Sequence, residues 1–341
     1  MEKVKFAIIG WGGIARTHAM AAYDMDIKLN LPFSVELKYV LTRKPTEIRI
    51  PGAVNTQNLD DILNDPEIKF VSICTPNAAH EEYFNACVNA GIPVYCEKPL
   101  SQSAEASMRM AKLAEEKGVM TGIPLVYRFL PVSRLMRNEL AKGTIGDVID
   151  FRGHLYHRSY MTPKKKGSWR TLPEHGGGAS LDLCVHTIDL ANFILGEFAN
   201  VEVDEKRIYF HDRSLVDEIA RYEITLPNGS KGLIESARVF SQNTQTDDFT
   251  IFGSKGSLHF DSKNPHDLEI YIYEDNSGHI LRASSLSADE HLVYPDERAF
   301  LGFFQSAHTA CLAEFIRCIL SGEKSAHLAD AMQCAKMEQY I

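Results

Sequence analysis

The chain has 341 residues, which at roughly 150 residues per domain predicts two domains. A chain of this size can bury roughly 75% of its unfolded surface, so its core needs neither disulfides nor a structural metal. With 45% hydrophobic and 24% charged residues it has the composition of an ordinary globular protein, which disfavours disorder, collagen and coiled coil. The net charge of 36 − 45 = −9 disfavours phosphate backbones and anionic lipid, so neither nucleic acid nor a membrane is expected as a partner.

Short apolar runs alternate with helical spacing through the first third, as in a parallel sheet with crossover helices. Strands are predicted at Val4–Ile9, Val35–Leu41, Phe70–Cys74, Pro93–Cys96 and Val119–Gly122, with helices at Ile14–Tyr23, His80–Ala90 and Ala104–Lys117. Gly91 and Gly118 follow two of these helices, where a left-handed residue ends a helix at least cost. After Gly122 the rhythm changes. A helix near Val132–Lys142 precedes alternating segments at Val148–His157, Val201–Phe210, Ile219–Leu226, Lys231–Val239, Phe249–Phe252 and Leu268–Tyr273, separated by turns such as Pro227-Asn228-Gly229.

The fold class expected is therefore α/β, with an N-terminal doubly wound parallel sheet followed by a mostly antiparallel open sheet. The domains are expected at 1–123 and 124–341. A helix over Ala179–Leu195 interrupts the second sheet, and helical spacing returns from Phe303, in a final helix that can pack back on the first domain. The seven cysteines (Cys74, Cys87, Cys96, Cys184, Cys311, Cys318, Cys334) are scattered and contain no Cys-x-x-Cys pair. They read as reduced, buried thiols. No uninterrupted apolar run approaches the ~18 residues of a membrane span. The apolar start, Val4–Ile9, ends at Gly10 without a cleavage pattern, so a cytoplasmic location is expected.

Gly10-Trp11-Gly12-Gly13-Ile14-Ala15 falls between the first strand and the first helix, the context of a dinucleotide fingerprint. Gly10 permits the tight turn, Gly12 and Gly13 let backbone approach a pyrophosphate, and Ala15 allows close packing of helix on strand. The N–H groups of the helix start, near Ile14, face the phosphates. An acidic residue at the end of the second strand would bind a 2′-hydroxyl, and a basic one a 2′-phosphate. Here stand Thr42, Arg43 and Lys44, which favours NADP over NAD. Gly10 to Thr42 spans 32 positions against about 20 in the usual fingerprint, as though Asp24–Phe33 were inserted.

Four further pieces lie where a doubly wound sheet exposes ligands. Thr75-Pro76-Asn77 with His80 follows the third apolar strand, though Asn77 could simply cap a helix. Glu97-Lys98-Pro99 follows the fourth, and the proline biases Lys98 to an extended backbone. In the segment Gly176–Asp189, Asp182 and His186 are four apart, so on a helix they share a face. His186 could then take a hydroxyl proton while Asp182 orients it. The same spacing also suits a surface ion pair, or a metal bound with His175, although no metal is expected. Trp169-Arg170 precedes the glycine run. Lys164-Lys165-Lys166 reads either as a solvated loop or as an anion site on the substrate side.

The order GxGxxA, TPNxxH, EKP, WR, GGGxxxDxxxH resembles the glucose-fructose oxidoreductase, inositol dehydrogenase and MocA family, with Tyr127-Arg128-Phe129 and Ile145-Gly146 adding to the likeness. The resemblance implies a Rossmann domain followed by a substrate domain that commonly forms an oligomer interface, so a homodimer or homotetramer through the C-terminal sheet is expected. It also implies catalytic Lys98, Asp182 and His186, a Glu97 near the nicotinamide ribose, Thr75, Pro76 and Asn77 lining the cofactor, and a cis Lys98–Pro99 bond. The expected reaction is hydride transfer between NADP or NAD and a secondary hydroxyl or carbonyl of a sugar, polyol or related compound. Such hydroxyl-rich ligands need donors, acceptors and a flat apolar face, for which Tyr127, Arg128, Tyr156, His157, Trp169 and Arg170 are the candidates. The alternatives are a nucleotide-binding sensor without turnover and a redox-assisted glycoside elimination.

Overall fold

The computed structural model describes residues 2–163, 166–241, 246–286, 294 and 301–341. The chain divides into two units. The first holds the chain through Val126 together with the C-terminal stretch through Gln339, and the second starts at Tyr127 and takes in Tyr340 and Ile341.

In the first unit six parallel strands, β1 (Glu2–Ile9), β2 (Phe33–Leu41), β3 (Val54–Thr56), β4 (Ile68–Ile73), β5 (Val94–Cys96) and β6 (Thr121–Gly122), lie in the order 3-2-1-4-5-6. The strand order reverses between β1 and β4, and doubly wound sheets bind ligands at the carboxyl ends of the strands at such a point. Crossovers are made by α1 (Gly13–Lys28), the short α2 (Asp60–Leu63), α3 (His80–Asn89) and α4 (Ala104–Lys117). Ser103 caps α4 by accepting from Ala106 N–H, and Gly118 closes it at φ +63°. Two differences from the sequence reading have simple causes. The extra residues after Tyr23 lengthen α1 to Lys28 rather than making a loop, with the last turn pinned by Lys28 on Asp24 at 2.7 Å. The three-residue β3 escapes periodicity because it is too short to show alternation.

The C-terminal helices α7 (Phe303–Ser321) and α8 (Ala331–Glu338) belong to this first unit, not to the second. Phe6 stacks on Phe70 at 4.9 Å, and Phe315 of α7 meets Phe70 edge-on at 5.5 Å and Tyr95 at 5.2 Å. At Gly122 a Cβ would stand 2.6 Å from the Phe315 ring, so the sheet edge is shaped to receive α7. Polar ties follow the same path. Ile123 N–H donates to Ala329 O at 2.8 Å, and Thr309 Oγ1 donates to Asp24 at 2.9 Å.

The second unit is an eight-stranded sheet in the order 14-13-12-11-7-10-9-8. Its strands are β7 (Val148–Tyr156), β8 (Asn200–Arg207), β9 (Ile219–Thr225), β10 (Lys231–Ala237), β11 (Thr246–Gly253), β12 (Gly256–Asp261), β13 (Asp267–Ile272) and β14 (Ser277–Arg282). All neighbours are antiparallel except β7 and β10. Helices α5 (Pro131–Ala141) and α6 (Val185–Leu195) cover one face, over Phe151, Leu155, Phe249, Ile251, Leu258 and Phe260. Glycines make room for the aromatics: a Cβ on Gly232 would stand 2.3 Å from the Phe151 ring. The stretch Pro173–Leu195 is long and apolar enough to cross a membrane, but 83% of its apolar window is buried inside the protein. The seven cysteines are all buried and form no disulfide among the described residues.

Candidate active site

In the first unit, Gly10 follows β1 at φ +91°, with its N–H on Leu41 O at 2.9 Å. A Cβ there would lie 2.8 Å from the Cys74 carbonyl, so the turn requires glycine both for its conformation and for its approach to the end of β4. Gly12 and Gly13, by contrast, have none of the described residues within 4 Å of where a Cβ would stand, and they open α1 while Ala15 is fully buried behind them. This is an uncovered helix N-terminus beside backbone that a pyrophosphate can approach. Thr75 Oγ1, at the carboxyl end of β4, is buried and has no hydrogen-bond partner among the described residues. Buried hydroxyls are nearly always satisfied, so this orphan suits a polar ligand such as the dinucleotide. Pro76 is extended at φ −60°, ψ 147°, and Asn77 is buried.

At the end of β2, Thr42 Oγ1 is engaged by the Lys44 carbonyl (2.7 Å) and by Asn55 Nδ2 (2.8 Å), while Arg43 and Lys44 are exposed.

Three residues expected to contact cofactor or substrate have their side chains engaged within the protein. The His80 ring is fully buried, with Nδ1 3.1 and 3.2 Å from the Pro99 and Leu100 carbonyls and Nε2 2.9 Å from the Thr75 carbonyl. It ties the turn after β4 to the turn after β5, and burial lowers its pKa. The Glu97 carboxylate turns into the core. His18 Nε2 lies 2.8 Å from its Oε1, and its Oε2 accepts from Lys98 N–H at 3.2 Å. Burial alone would raise the Glu97 pKa, but the His18 hydrogen bond and charge lower it, so the carboxylate is held ionised. His18 is in turn 2.8 Å from Ser72 Oγ through Nδ1. Burial opposes its charged form, yet Cys74 and Glu97 raise its pKa on balance. Arg128, the third, lies in the second unit in a bidentate pair with Asp189, Nε to Oδ2 at 2.7 Å, with both residues almost fully buried. That pair fastens the turn at 126–129 to α6 and commits the guanidinium to the core.

Lys98 follows directly after β5, and its bond to Pro99 is cis, as the resemblance implied. Donor atoms of His18, Glu97 and His308 lie within 4.8 Å of one another, the one such trio among the described residues. Burial, with His18 nearby, pushes the His308 pKa down to about 3. The trio of Asp182, His186 and His175 is not brought within ligating distance.

In the second unit Asp182 and His186 do not share one regular helix. Ser180–Cys184 forms a π-helical turn, and His186 stands in the first turn of α6. Such wide turns concentrate at functional sites. Their entry is set by two glycines: a Cβ on Gly177 would meet the Arg170 carbonyl at 2.2 Å, and one on Gly178 (φ +116°) would meet Asp217 Oδ1 at 2.5 Å. Asp217 then accepts from Ser180 N–H at 2.7 Å and from Ser180 Oγ at 2.9 Å, closing the helix start. The glycine run therefore serves close packing.

Asp182 is 7% exposed and His186 8%. The Asp182 carboxylate accepts from Arg238 Nη2, with Arg170 Nε 3.7 Å from the same oxygen. Arg170 in turn stacks on Trp169 at 4.2 Å. The Tyr127 ring is 5.4 Å from that of His186, and its hydroxyl donates to Asp247 Oδ2 at 2.8 Å. Burial and Asp247 raise the Tyr127 pKa well above the usual phenol value, so it stays a hydrogen-bond donor. His157 Nε2 lies 3.9 Å from Asp247 Oδ1. Tyr127, His157, Trp169 and Arg170 are thus gathered around Asp182 and His186. Tyr156 is not. Its alternation along β7 puts it on the open face with His154, where its hydroxyl donates to Glu235. Lys164 and Lys165 lie outside the described residues.

The sequence reading missed Arg238, Asp247 and Asp217. Each sits at or just beyond a strand end with no motif around it, and only a charged residue interrupting an apolar segment could have drawn attention to it.

A uniformly parallel 3-2-1-4-5-6 sheet with an open glycine turn, a lysine after β5, and a buried imidazole and carboxylate in the second unit define a nicotinamide-dependent oxidoreductase. The chain belongs to the Gfo/Idh/MocA family: residues 4–124 match the model for an oxidoreductase family with an NAD-binding Rossmann fold, and residues 133–259 match the GFO/IDH/MocA C-terminal domain. It is similar to levoglucosan dehydrogenase of Pseudarthrobacter phenanthrenivorans, 25% identical over 81% of this chain and 78% of that protein. A second relative, 1,5-anhydro-D-fructose reductase of Ensifer adhaerens, is 36% identical over 41% of each chain. The solved structure of levoglucosan dehydrogenase in complex with NADH and L-sorbose superposes with a TM-score of 0.88 at 25% identity, over all of this chain and 96% of the other.

Proposed function

We propose that this protein transfers a hydride between NADP and a secondary hydroxyl, or the corresponding carbonyl, of a sugar, polyol or related carbohydrate derivative. The observation that carries the reading is the buried cluster of the second unit, where His186 and Asp182 stand among Tyr127, His157, Trp169 and Arg170. A hydroxyl-rich ring offers many donors and acceptors, and these side chains supply their complements together with a flat apolar face. When bound, the nicotinamide accepts or returns the hydride. His186 takes the hydroxyl proton during oxidation and returns it during reduction, a role commonly worth 10²–10⁴ in rate. Asp182, held by Arg238 and Arg170, orients the substrate or His186. Lys98 donates to the reacting oxygen and stabilises its developing charge.

The preference for NADP rests on the exposed Arg43 and Lys44 at the end of β2, where no carboxylate competes for a 2′-phosphate. NAD is the alternative, in keeping with the NADH complex of levoglucosan dehydrogenase. The seven buried thiols suit a reducing cytoplasm. Phe252 and Tyr271, exposed on the open face of the second sheet and linked across it through Ser257, mark the surface for a homodimer or homotetramer.

A panel of polyols, aldoses and sugar acids, followed by nicotinamide absorbance with NADP(H) and NAD(H), tests the reading. Turnover with at least one of them and tighter binding of NADPH are expected. Bond cleavage without accumulation of reduced nucleotide, or nucleotide binding without any turnover, would point to the eliminating or sensing alternatives, and tighter NADH would overturn the preference.

A further inference from the structure

We propose that Glu338, in the last turn of α8, is a positioning residue that fixes the backbone from which Lys98 is presented, an inference that rests on the role of Lys98 proposed above. Leu100 N–H donates to Glu338 Oε1 at 2.6 Å, Cys334 Sγ lies 3.2 Å from the same oxygen, and Ser107 Oγ of α4 donates to Oε2. The carboxylate is 2% exposed. A side chain there merely to fill space would be apolar, because a buried carboxylate is costly unless its oxygens are matched by donors. Glu338 instead meets three donors from three places: the turn after β5, α4 and its own helix.

The same short turn is held on its other sides as well. Lys98 N–H goes to Glu97, the Pro99 and Leu100 carbonyls face His80, and Pro99 has no N–H to satisfy. Both available N–H groups of Lys98-Pro99-Leu100 are therefore anchored to carboxylates. The Glu97 anchor is local, one residue away, whereas the Glu338 anchor comes from 238 residues downstream. Glu338 also feels the charge of Lys98. A lysine that must place its ammonium against a reacting oxygen gains from a backbone with no freedom to rock, and a displacement of about 1 Å can cost about 10²-fold in rate. The C-terminal helix thus takes part in turnover through one carboxylate that touches neither substrate nor dinucleotide.

A double-variant cycle on the full-length protein, with the nucleotide and the best substrate of the panel above, tests this. Glu338→Ala should lower kcat about 10²-fold while leaving dinucleotide binding within about twofold of wild type. Glu338→Gln, whose amide oxygen still accepts from Leu100, should recover most of the loss. In a Lys98→Ala background the further effect of Glu338→Ala should shrink to less than about threefold, since its action runs through that lysine. Where the alanine variant does not fold, Glu338→Asp keeps a carboxyl group but withdraws the oxygen from Leu100 N–H, and it should lose kcat in the same way. Equal fold-losses in both backgrounds, or wild-type kcat in Glu338→Ala or Glu338→Asp, would overturn the positioning role alone. Normal turnover by Lys98→Ala would instead sink the reading of Lys98, and this inference with it.

Discussion

Glu338 shows what burial does to a single carboxyl group. Burial raises its pKa to about 7, even though Ser107, Leu100 N–H, Cys334 and the charge of Lys98 all pull it down. Below its ordinary value of 4.5 the group is protonated in both folded and unfolded chains, and its contribution to stability is fully present. Between pH 4.5 and about 7 the unfolded chain loses the proton while the folded protein keeps it, so stability falls and then levels off. Glu338→Gln does not titrate. Urea denaturation from pH 4 to 8 should show the wild type losing on the order of 3 kcal/mol relative to this variant across that window, and parallel curves would contradict the assignment. Among the candidate site residues, Lys98, Asp182 and His186 stand out in the sequence because motifs surround them. Their partners do not. Arg238, just beyond β10, reaches Asp182 across 56 positions, and Asp247, in β11, reaches Tyr127 across 120, contacts that no local pattern encodes.

Among the elements, the turn between β1 and α1 was read correctly because its glycines answer to local geometry. Gly10 is at φ +91° with the Cys74 carbonyl 2.8 Å from where a Cβ would stand. Gly10→Ala should therefore strain the turn by a few kcal/mol and weaken nucleotide binding at least tenfold, measurable by fluorescence titration, whereas Gly13→Ala, with open space at that position, should fold normally. The helix over Ala179–Leu195 was only half legible. Its apolar spacing is helical, but the π turn at Ser180–Cys184 arises from packing: Gly177 seats on the Arg170 backbone and Asp217 grips Ser180, which sets where the turn begins. Likewise Tyr156 looked like a site residue beside His157, yet period-2 alternation sends the two to opposite sides of the sheet region.

For the whole molecule, the open face of the eight-stranded sheet carries the proposed self-association. Phe252 is 44% exposed and Tyr271 39%, with Ser257 between them across the strands. Phe252→Lys should shift the protein to a smaller species in sedimentation while it stays folded, because an exposed strand residue adds little to its own fold. An unchanged oligomer would rule out this patch. The first unit is closed by the end of the chain: Phe315 of α7 fills the space over Gly122 and against Phe70 and Tyr95, so its core is complete only when residues far apart in sequence meet.

By itself the sequence determined the parallel and antiparallel halves, the glycine turn, the lysine before a proline and the Asp182–His186 spacing, because hydrophobic period, backbone freedom and short-range spacing are local properties of the chain. Tertiary structure alone decided that His80 meets the Thr75 carbonyl, Glu97 meets His18 and Arg128 meets Asp189, that Arg238 holds Asp182, and that Glu338 reaches Leu100. These outcomes depend on which buried donors meet which acceptors. Burial makes each such pairing compulsory, while the identity of the partner is fixed only once the strands and helices have packed.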